Sequence, residues 1–209
     1  AQVKYAREFA LYVQDNWEIT PAFSINAGLR FAGFTQVGPF KRFTTDADGN
    51  RTDSIEYGKG KAVRTYNGLE PRFTLRYSIN DETSIKGSVT RNLQYIHLVS
   101  NSGSTLPTDL WVPSTYLVKP QISWLYSVGL FKNFNKNTYE TSVELYYKKM
   151  SNQIEYKEGY TPNTLDDTEN SFVFGDGWSY GSEFFINKVK GRFTGWIGYT
   201  LSWTWRKFP

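Results

Sequence analysis

The sequence lacks cysteine and has a single histidine, His97, among its 209 residues. The absence of cysteine excludes a disulfide framework, a thiol nucleophile and a cysteine-based zinc site, and one imidazole cannot supply a site that needs two. No apolar run approaches the roughly 18 residues that a membrane-spanning helix needs, and the mean hydropathy is −0.52. The formal charge of +4 is too small and too dispersed along the chain to indicate nucleic-acid binding.

Aromatic residues, in contrast, are abundant: 15 Phe, 15 Tyr and 7 Trp make up 18% of the chain. Disordered chains are poor in aromatic residues, so this composition predicts an ordered protein. A polar average combined with many aromatics suits two classes, a soluble all-β domain such as a carbohydrate-binding module and a transmembrane β-barrel. The length allows one domain or part of a larger one.

Apolar and polar residues alternate over most of the chain, and helical periodicity is absent. In residues 192–206 the odd positions are all apolar or glycine, whereas the even positions are polar or glycine except Trp196. Because successive side chains of a strand point to opposite faces, this pattern predicts one apolar and one polar face. The same pattern predicts eight strands, at residues 5–17, 23–31, 69–79, 85–95, 122–130, 139–149, 178–188 and 192–206.

The predicted strands are long, and the connections between them alternate in length. Strands in globular proteins usually have about 5 or 6 residues, whereas a tilted strand that spans a bilayer needs about 9 to 11. Short turns on one side and long loops on the other are typical of outer-membrane barrels. The short connections lie at 20–22, 80–83, 133–138 and 189–191, and the long ones at 37–66, 98–119 and 152–176.

Aromatic residues also recur near both ends of the strands. Phe193 lies near a short turn, and Trp203 and Trp205 lie near the far end of the same predicted strand. Ten residues at about 3.3 Å rise and about 40° tilt cover about 25 Å, the height of the apolar band between two aromatic girdles. Trp17 and Phe23 flank the first short turn in the same way.

At the level of barrel hairpins, the chain resembles the TonB-dependent outer-membrane receptors, in the form abundant in Bacteroidetes, over essentially its whole length. The most specific similarity is a hairpin formed by residues 12–20 and 26–31, and three later segments add weaker ones. The residues concerned are Tyr12-Val13-Gln14-Asp15-Asn16-Trp17-Glu18-Ile19-Thr20 with Asn26-Ala27-Gly28-Leu29-Arg30-Phe31, then Glu70-Pro71-Arg72-Phe73, Ser179-Tyr180-Gly181-Ser182-Glu183 and Trp196-Ile197-Gly198-Tyr199-Thr200-Leu201-Ser202.

The resemblance implies a receptor with a 22-stranded barrel, an N-terminal plug and energy supplied through TonB. Only about eight strands are predicted here, without a plug, a TonB box or a signal peptide, and the chain stops at Phe208-Pro209. We therefore expect residues 1–209 to be an internal segment of the barrel, an all-β antiparallel structure with short periplasmic turns and long extracellular loops. The alternatives are a small complete eight-stranded barrel, acting as a passive porin or adhesin, and a soluble carbohydrate-binding β-sandwich.

The function implied by the resemblance is active transport of a nutrient across the outer membrane of a Gram-negative bacterium. The solute is an iron chelate, a corrinoid, a glycan or a peptide, and the sequence does not choose among these. The expected partners are outer-membrane lipid and lipopolysaccharide, the rest of the barrel and the plug, and TonB through a part of the receptor outside this chain. We expect no enzyme activity, no cofactor and no nucleic acid.

The polar face of the strands is expected to line the lumen of the barrel. Some of its charged residues are candidates to contact the plug or the solute path, and most of them are expected to be solvated wall positions. The lumen-facing candidates are Arg30, Arg72, Arg76, Lys86, Glu144 and Glu183.

The long loops supply the candidates for solute binding. Cations beside aromatic residues can hold an anionic solute or a lipopolysaccharide phosphate, although a solvated loop has the same composition. An ordered loop with an exposed Trp can stack on a sugar or an aryl group, and it can equally fold inward onto the barrel mouth. The candidates are Phe40, Lys41, Arg42, Phe43, Trp111, Tyr116 and Tyr160.

Three further features complete the prediction. Asp46, Asp48, Asn50 and Asp53 partly match a calcium loop, but the order differs from the EF-hand and no Glu follows at position twelve, so we assign a hairpin turn and no metal. His97 is expected to be a lone interfacial residue. Arg91 falls on the apolar parity of its strand, which requires either a bulge after Val89 or a position near the headgroups.

Overall fold

The computed structural model describes residues 3–45, 51–99, 110–158 and 168–209. They contain twelve β-strands and one short 3₁₀ helix, Thr168–Ser171. In this part of the chain no helix is long and apolar enough to cross a membrane. The strands are β1 Tyr5–Thr20, β2 Phe23–Val37, β3 Phe40–Thr45, β4 Arg51–Tyr57, β5 Ala62–Asn80, β6 Thr83–Gln94, β7 Ile96–Val99, β8 Leu110–Pro113, β9 Gln121–Phe134, β10 Tyr139–Tyr156, β11 Phe172–Lys188 and β12 Gly195–Lys207.

Eight strands form one antiparallel sheet in the order β1-β2-β5-β6-β9-β10-β11-β12. The main-sheet strands follow one another along the chain, so each pair is joined either by a short turn or by a longer excursion. In the described residues β1 and β12 are the two edges and do not pair with each other. The predicted all-β, antiparallel arrangement is confirmed, whereas the sheet does not close on itself as the small eight-stranded barrel alternative requires.

The outward face of this sheet is apolar and exposed. Leu11, Leu145 and Ile197 have 71%, 53% and 72% of their surface exposed, and most large apolar residues of the same parity are similarly accessible. A β-sandwich would cover this face with a second sheet. The apolar side chains of this face do not pack against a second sheet in a buried core, so the sandwich alternative is wrong.

The strands extend further than the sequence pattern predicts. β5 has 19 residues, β10 has 18 and β11 has 17. The predicted loops 37–66 and 98–119 contain two small sheets, β3-β4 and β7-β8, which alternation did not reveal because β7 and β8 have only four residues each. At the other end, β12 begins at Gly195, so Phe193 precedes the strand instead of standing on it as expected.

Arg91 stays on the apolar face of the sheet. The pairing of β6 with β9 runs without a register shift from Thr83 opposite Lys132 to Gln94 opposite Gln121. A bulge after Val89 is therefore excluded on this side, and Arg91 lies directly opposite Trp124. The remaining explanation from the sequence, a position near the headgroups, is consistent with this register.

Candidate functional site

The described residues 95–99 and 110–118 fold inward at the long-loop end of the sheet, and we call this region the mouth. Val99 of β7 and Val112 of β8 pack with Val118, Ile154 and Phe172 in one buried cluster. The chain thus builds a core like that of a soluble protein at the mouth, away from the exposed outer face. Both predicted features of this loop appear among its described residues, because Val112 and Val118 are buried at the mouth whereas Trp111 stays exposed.

A second buried cluster ties the same segment to the wall. Phe34 of β2, which is 1% exposed, stacks on Tyr95 with ring centroids 5.2 Å apart. The Tyr95 hydroxyl donates to the Ala32 carbonyl at 3.2 Å. Ring stacking and this hydrogen bond together fix the position at which the chain leaves β6 and turns inward.

Buried polar groups link Thr115 of the mouth, directly or through Glu169, to three other parts of the chain, at Glu169, Lys4 and Tyr66. The Thr115 hydroxyl donates to Glu169 at 2.8 Å, and the other oxygen of that carboxylate accepts from Lys4 at 2.9 Å. Tyr66 donates its hydroxyl proton to the Thr115 carbonyl at 2.6 Å. Glu169 is only 5% exposed, and its two partners satisfy the charge that burial would otherwise leave costly.

His97 lies inside this assembly and is only 1% exposed, so the expectation of an interfacial histidine is wrong. Its Nε2 is 3.2 Å from the Ser114 hydroxyl oxygen, and no described residue forms a hydrogen bond with Nδ1. Burial lowers the pKa of His97 to about 4, because the charged ring would lose its hydration. The ring is therefore neutral at pH 7.

Two arginines from different segments converge on one loop tyrosine. Arg42 of β3 places its guanidinium carbon 3.6 Å from the centre of the Tyr116 ring, and Arg64 of β5 lies 5.3 Å from the same ring. Arg64 also lies 5.2 Å from the ring of Tyr66. Tyr116 remains 46% exposed, so this arginine–tyrosine cluster (Arg42, Arg64, Tyr66 and Tyr116) presents positive charge beside an accessible aromatic group.

Two other predicted loop residues, Phe40 and Lys41, contact different partners. Lys41 forms a salt bridge with Glu56 at 2.9 Å across the β3-β4 hairpin, and its ammonium lies 5.7 Å from the centre of the Phe43 ring. The ammonium of Lys4 lies 5.9 Å from the centre of the Phe40 ring. The bond to Lys41 lowers the pKa of Glu56, first through the hydrogen bond and then through the charge. Trp111 is 64% exposed on β8, and Tyr160 lies outside the described residues.

Sequence reasoning did not connect Arg64 and Tyr66 with Arg42 and Tyr116. Arg64 and Tyr66 have the same parity as Glu70 and Arg72, and the alternation of 69–79 could have been extended backwards to include them. Their neighbours in the cluster depend on how the β3-β4 hairpin and the mouth segment fold, which no local pattern encodes.

The predicted lumen-facing residues lie on the concave face in two groups. Arg30 and Arg72 line a cavity of about 290 Å³ together with Glu70. Arg30 pairs with Glu70 at 3.0 Å, and Glu70 also accepts from the Leu93 amide at 2.7 Å. Glu70, which is 2% exposed, is thus the partner that the sequence did not identify.

The remaining four line a larger cavity at the short-turn end. It has a volume of about 630 Å³, and its walls come from six neighbouring strands of the main sheet, which shows that this face is concave. Two cations and five carboxylates line it, so the surface is polar and carries a net negative charge. Its charged walls include Arg76, Lys86, Glu144 and Glu183.

The calcium alternative is not tested by the described residues. Asp46, Asp48 and Asn50 lie outside them. Asp53 lies in β4, where its carboxylate accepts from the Ser54 amide at 2.7 Å. Among the described residues no group of three or more acidic or histidine side chains is placed to hold a metal ion.

Comparisons with known proteins match this architecture. The family model described as TonB dependent receptor-like, beta-barrel matches residues 2–208. A comparison with the curated proteins gave no match.

Among the solved structures, the ferripyoverdine receptor of the outer membrane of Pseudomonas aeruginosa is 15% identical with a TM-score of 0.63, covering 98% of this chain and 24% of that one. The ferric-catecholate import receptor Fiu from Escherichia coli K12 is 17% identical with a TM-score of 0.61, covering 97% and 28%. The FrpB iron transporter from Neisseria meningitidis is 14% identical with a TM-score of 0.58, covering 97% and 26%. At these identities the likeness shows the fold, and the chain spans about a quarter of each receptor's length.

Proposed function

Because this chain belongs to the TonB-dependent receptor family, as part of its β-barrel, we propose that it forms part of the wall and the extracellular loops of an active outer-membrane transporter. In this proposal residues 1–209 all belong to the barrel, the short turns face the periplasm, and the long excursions face the outside of a Gram-negative bacterium. The exposed apolar face contacts lipid, and the concave polar face contacts the plug and water. TonB acts through a part of the receptor outside this chain.

The observation that carries the proposal is the opposite character of the two faces of one sheet. Large apolar side chains stand exposed on the outer face, while charged residues from four strands line a polar cavity on the inner face. A sheet in water would bury its apolar side, whereas a sheet in a bilayer exposes it to acyl chains. Such a wall needs no catalytic group, in keeping with a transporter and not an enzyme.

We further propose that the solute is anionic and that an iron chelate is the first class to test. The arginine–tyrosine cluster supplies two guanidinium groups beside an exposed ring, which suits a negatively charged, partly aromatic molecule. The names of the three similar receptors given above refer to iron or iron chelates, which supports the same class. A corrinoid, a glycan or a peptide would be an alternative outcome, with the exposed Trp111 as the stacking surface for a sugar.

Uptake by cells that express the full-length receptor tests this proposal. Cells supplied with radioactive ferric chelates are expected to accumulate iron only when both the receptor and TonB are present. Replacing Arg42 and Arg64 by Ala is expected to weaken chelate binding by about tenfold or more, since each removes a charge-assisted contact. Lys41→Ala is the matched control because Lys41 already pairs with Glu56 on the same hairpin. Uptake that does not depend on TonB would contradict the transport mechanism, and equal losses in both variants would contradict the assignment of the cluster.

A further inference from the structure

The outward face carries one row of side chains that differs from the rows below it. Register places Arg91 of β6 opposite Trp124 of β9, Trp124 opposite Lys149 of β10, Lys149 opposite Trp178 of β11, and Trp178 opposite Trp205 of β12. Two cations therefore alternate with tryptophans across five strands. We call these five residues the cation–tryptophan row.

The height of the row matches the outer edge of the apolar band. Trp124, Lys149, Trp178 and Trp205 each lie ten residues from the short-turn end of their strands. Ten residues correspond to about 25 Å along the membrane normal at a tilt of about 40°. Tryptophan and long cationic side chains favour the boundary between acyl chains and headgroups, and the cost of an outward Arg falls there to about 0–1 kcal/mol.

The row is built to present positive charge. The Arg91 guanidinium lies 5.9 Å from the Trp124 ring and donates one hydrogen bond to the Leu69 carbonyl, which leaves most of its five N–H donors for other acceptors. Lys149 is exposed and, within the residues that the structure describes, has no acidic partner within 4 Å. Arg91 and Lys149 stand two strand spacings apart, about 10 Å, with Trp124 between them.

The acidic residue Asp176 borders the same cavity as Lys149, but it has a cation of its own opposite it. Asp176 lies one row further toward the long loops and is opposite Lys207, a cation of its own row. Trp178 and Trp205 stack with ring centroids 6.3 Å apart and close the other side of the row. An anionic headgroup can therefore approach Arg91 and Lys149 while its chains lie along the apolar strands below.

From these observations we propose that the cation–tryptophan row is a binding site for the phosphate groups of a phosphorylated glycolipid of the outer leaflet, lipopolysaccharide. The proposal rests on the proposed orientation of the chain in the outer membrane, and it concerns the lipid-facing wall, not the solute site. Arg is the residue best suited to phosphate because its planar fork binds two oxygens at once, and Lys149 adds a second point charge.

The short-turn end of the same face provides a contrast. Lys132 lies 5.0 Å from the Phe134 ring, and Lys188 lies 5.9 Å from the Tyr139 ring. These cations contact Phe and Tyr, and they do not share a register row with each other. They are the same-face control for an unspecific effect of outward positive charge.

The test uses the full-length receptor, purified in detergent and freed of lipid. Its affinity is measured by native mass spectrometry for lipid A carrying its phosphates and for lipid A from which the phosphates have been removed. Wild type is expected to bind the phosphorylated form more tightly, and the double variant Arg91→Gln with Lys149→Gln is expected to lose that preference, with about tenfold weaker binding. The Lys132→Gln with Lys188→Gln pair, and Lys148→Gln on the opposite face, are expected to bind as wild type.

Several results would overturn the site. Equal binding of both lipids by wild type would show that phosphate is not recognised, and an equal loss in the Lys132 and Lys188 pair would show that any outward cation suffices. Displacement of the lipid by an equal concentration of inorganic phosphate would contradict a lipid as the occupant. Heat-modifiable gel mobility checks that each variant is folded, and the Arg91→Lys variant with Lys149 intact must retain part of the preference. Because no solute is used, the result is independent of solute uptake.

Discussion

The wall of the sheet and its mouth are built on opposite principles. In the wall, alternate large apolar side chains are exposed, and backbone pairing between neighbouring strands holds the structure together. At the mouth, residues 95–99 and 110–118 bury apolar side chains and hold them with buried polar groups such as Thr115 and Glu169. In the proposed membrane placement, one chain therefore points its hydrophobic residues outward where lipid is the solvent and inward where water is the solvent.

The largest expected effect is the loss of local stability when a buried aromatic side chain is removed from the mouth. Phe34→Ala removes a ring that is 1% exposed and stacked on Tyr95, so it leaves a cavity between β2 and the inward-folding segment. We expect a loss of about 3–5 kcal/mol in the local stability of this region. Hydrogen exchange of the β7-β8 hairpin in the full-length receptor measures it, with Phe31→Ala on the outward face of the same strand as the control. Equal protection of the hairpin from exchange in both variants would contradict the claim that buried packing stabilises the mouth but not the wall.

The reciprocal experiment places a charge in the wall. Leu145 is 53% exposed at mid-height on the outer face of β10, and Leu145→Arg is expected to cost about 2–4 kcal/mol in a lipid bilayer. Glu144→Arg, the neighbouring position on the concave face, is expected to change the stability little because it faces Glu183 across the pair. Urea unfolding of the receptor in lipid vesicles checks both variants. Equal stabilities would contradict the lipid-facing assignment of Leu145 and the other odd positions of β10.

A smaller effect is expected where the mouth is polar. Thr115→Val keeps the side-chain volume but removes the hydroxyl that donates to Glu169. Among the described residues Glu169 would keep only Lys4, and the Val118 amide would lose the hydroxyl as its acceptor, so a loss of about 1–2 kcal/mol is expected. Limited proteolysis of the segment after Pro113 measures the change, and Thr90→Val in the long sheet serves as the control. Unchanged cleavage would show that the buried network does not hold the mouth.

A dependence on pH is the smallest effect near pH 6 and becomes larger at lower pH. The pKa of His97 is lowered to about 4 in the folded mouth, whereas an unfolded histidine has a pKa of about 6.5. The unfolded form therefore binds the proton first as the pH falls, and stability is lost between about pH 6.5 and 4. The loss is below about 1 kcal/mol at pH 6 and grows toward pH 4. His97→Gln removes this titration, so hydrogen exchange of β7 at pH 7 and pH 5 should differ less in the variant than in wild type.

The same contrast explains how far the sequence predicts the structure. The wall follows a period of two residues, so eight strands and their apolar face could be predicted from alternation alone, as for β12. The same parity predicted the charged residues that line the two cavities on the polar face. Loop position also indicated Arg42 and Tyr116 as binding candidates.

The remainder depends on contacts between distant parts of the chain. The partner of Arg30 is Glu70, 40 residues away, and it is fixed by the register of β2 with β5. β7 and β8 are too short to show a periodic pattern. His97 is buried by contacts with residues distant in the sequence, which its neighbours in the chain do not predict. Register similarly aligns Arg91 with Lys149 through three strands, which the parity of one strand cannot reveal.

The extra length of the strands has a consequence for ligand capture. β5 rises for 19 residues, about 45 Å along the normal, and so continues about 20 Å beyond the apolar band. Arg64 and Tyr66 stand on this extension, which a hydrogen-bonded ladder with β2 keeps stiff. Side chains on such a rigid extension lose little conformational entropy when a ligand binds, so ordering them costs less binding free energy.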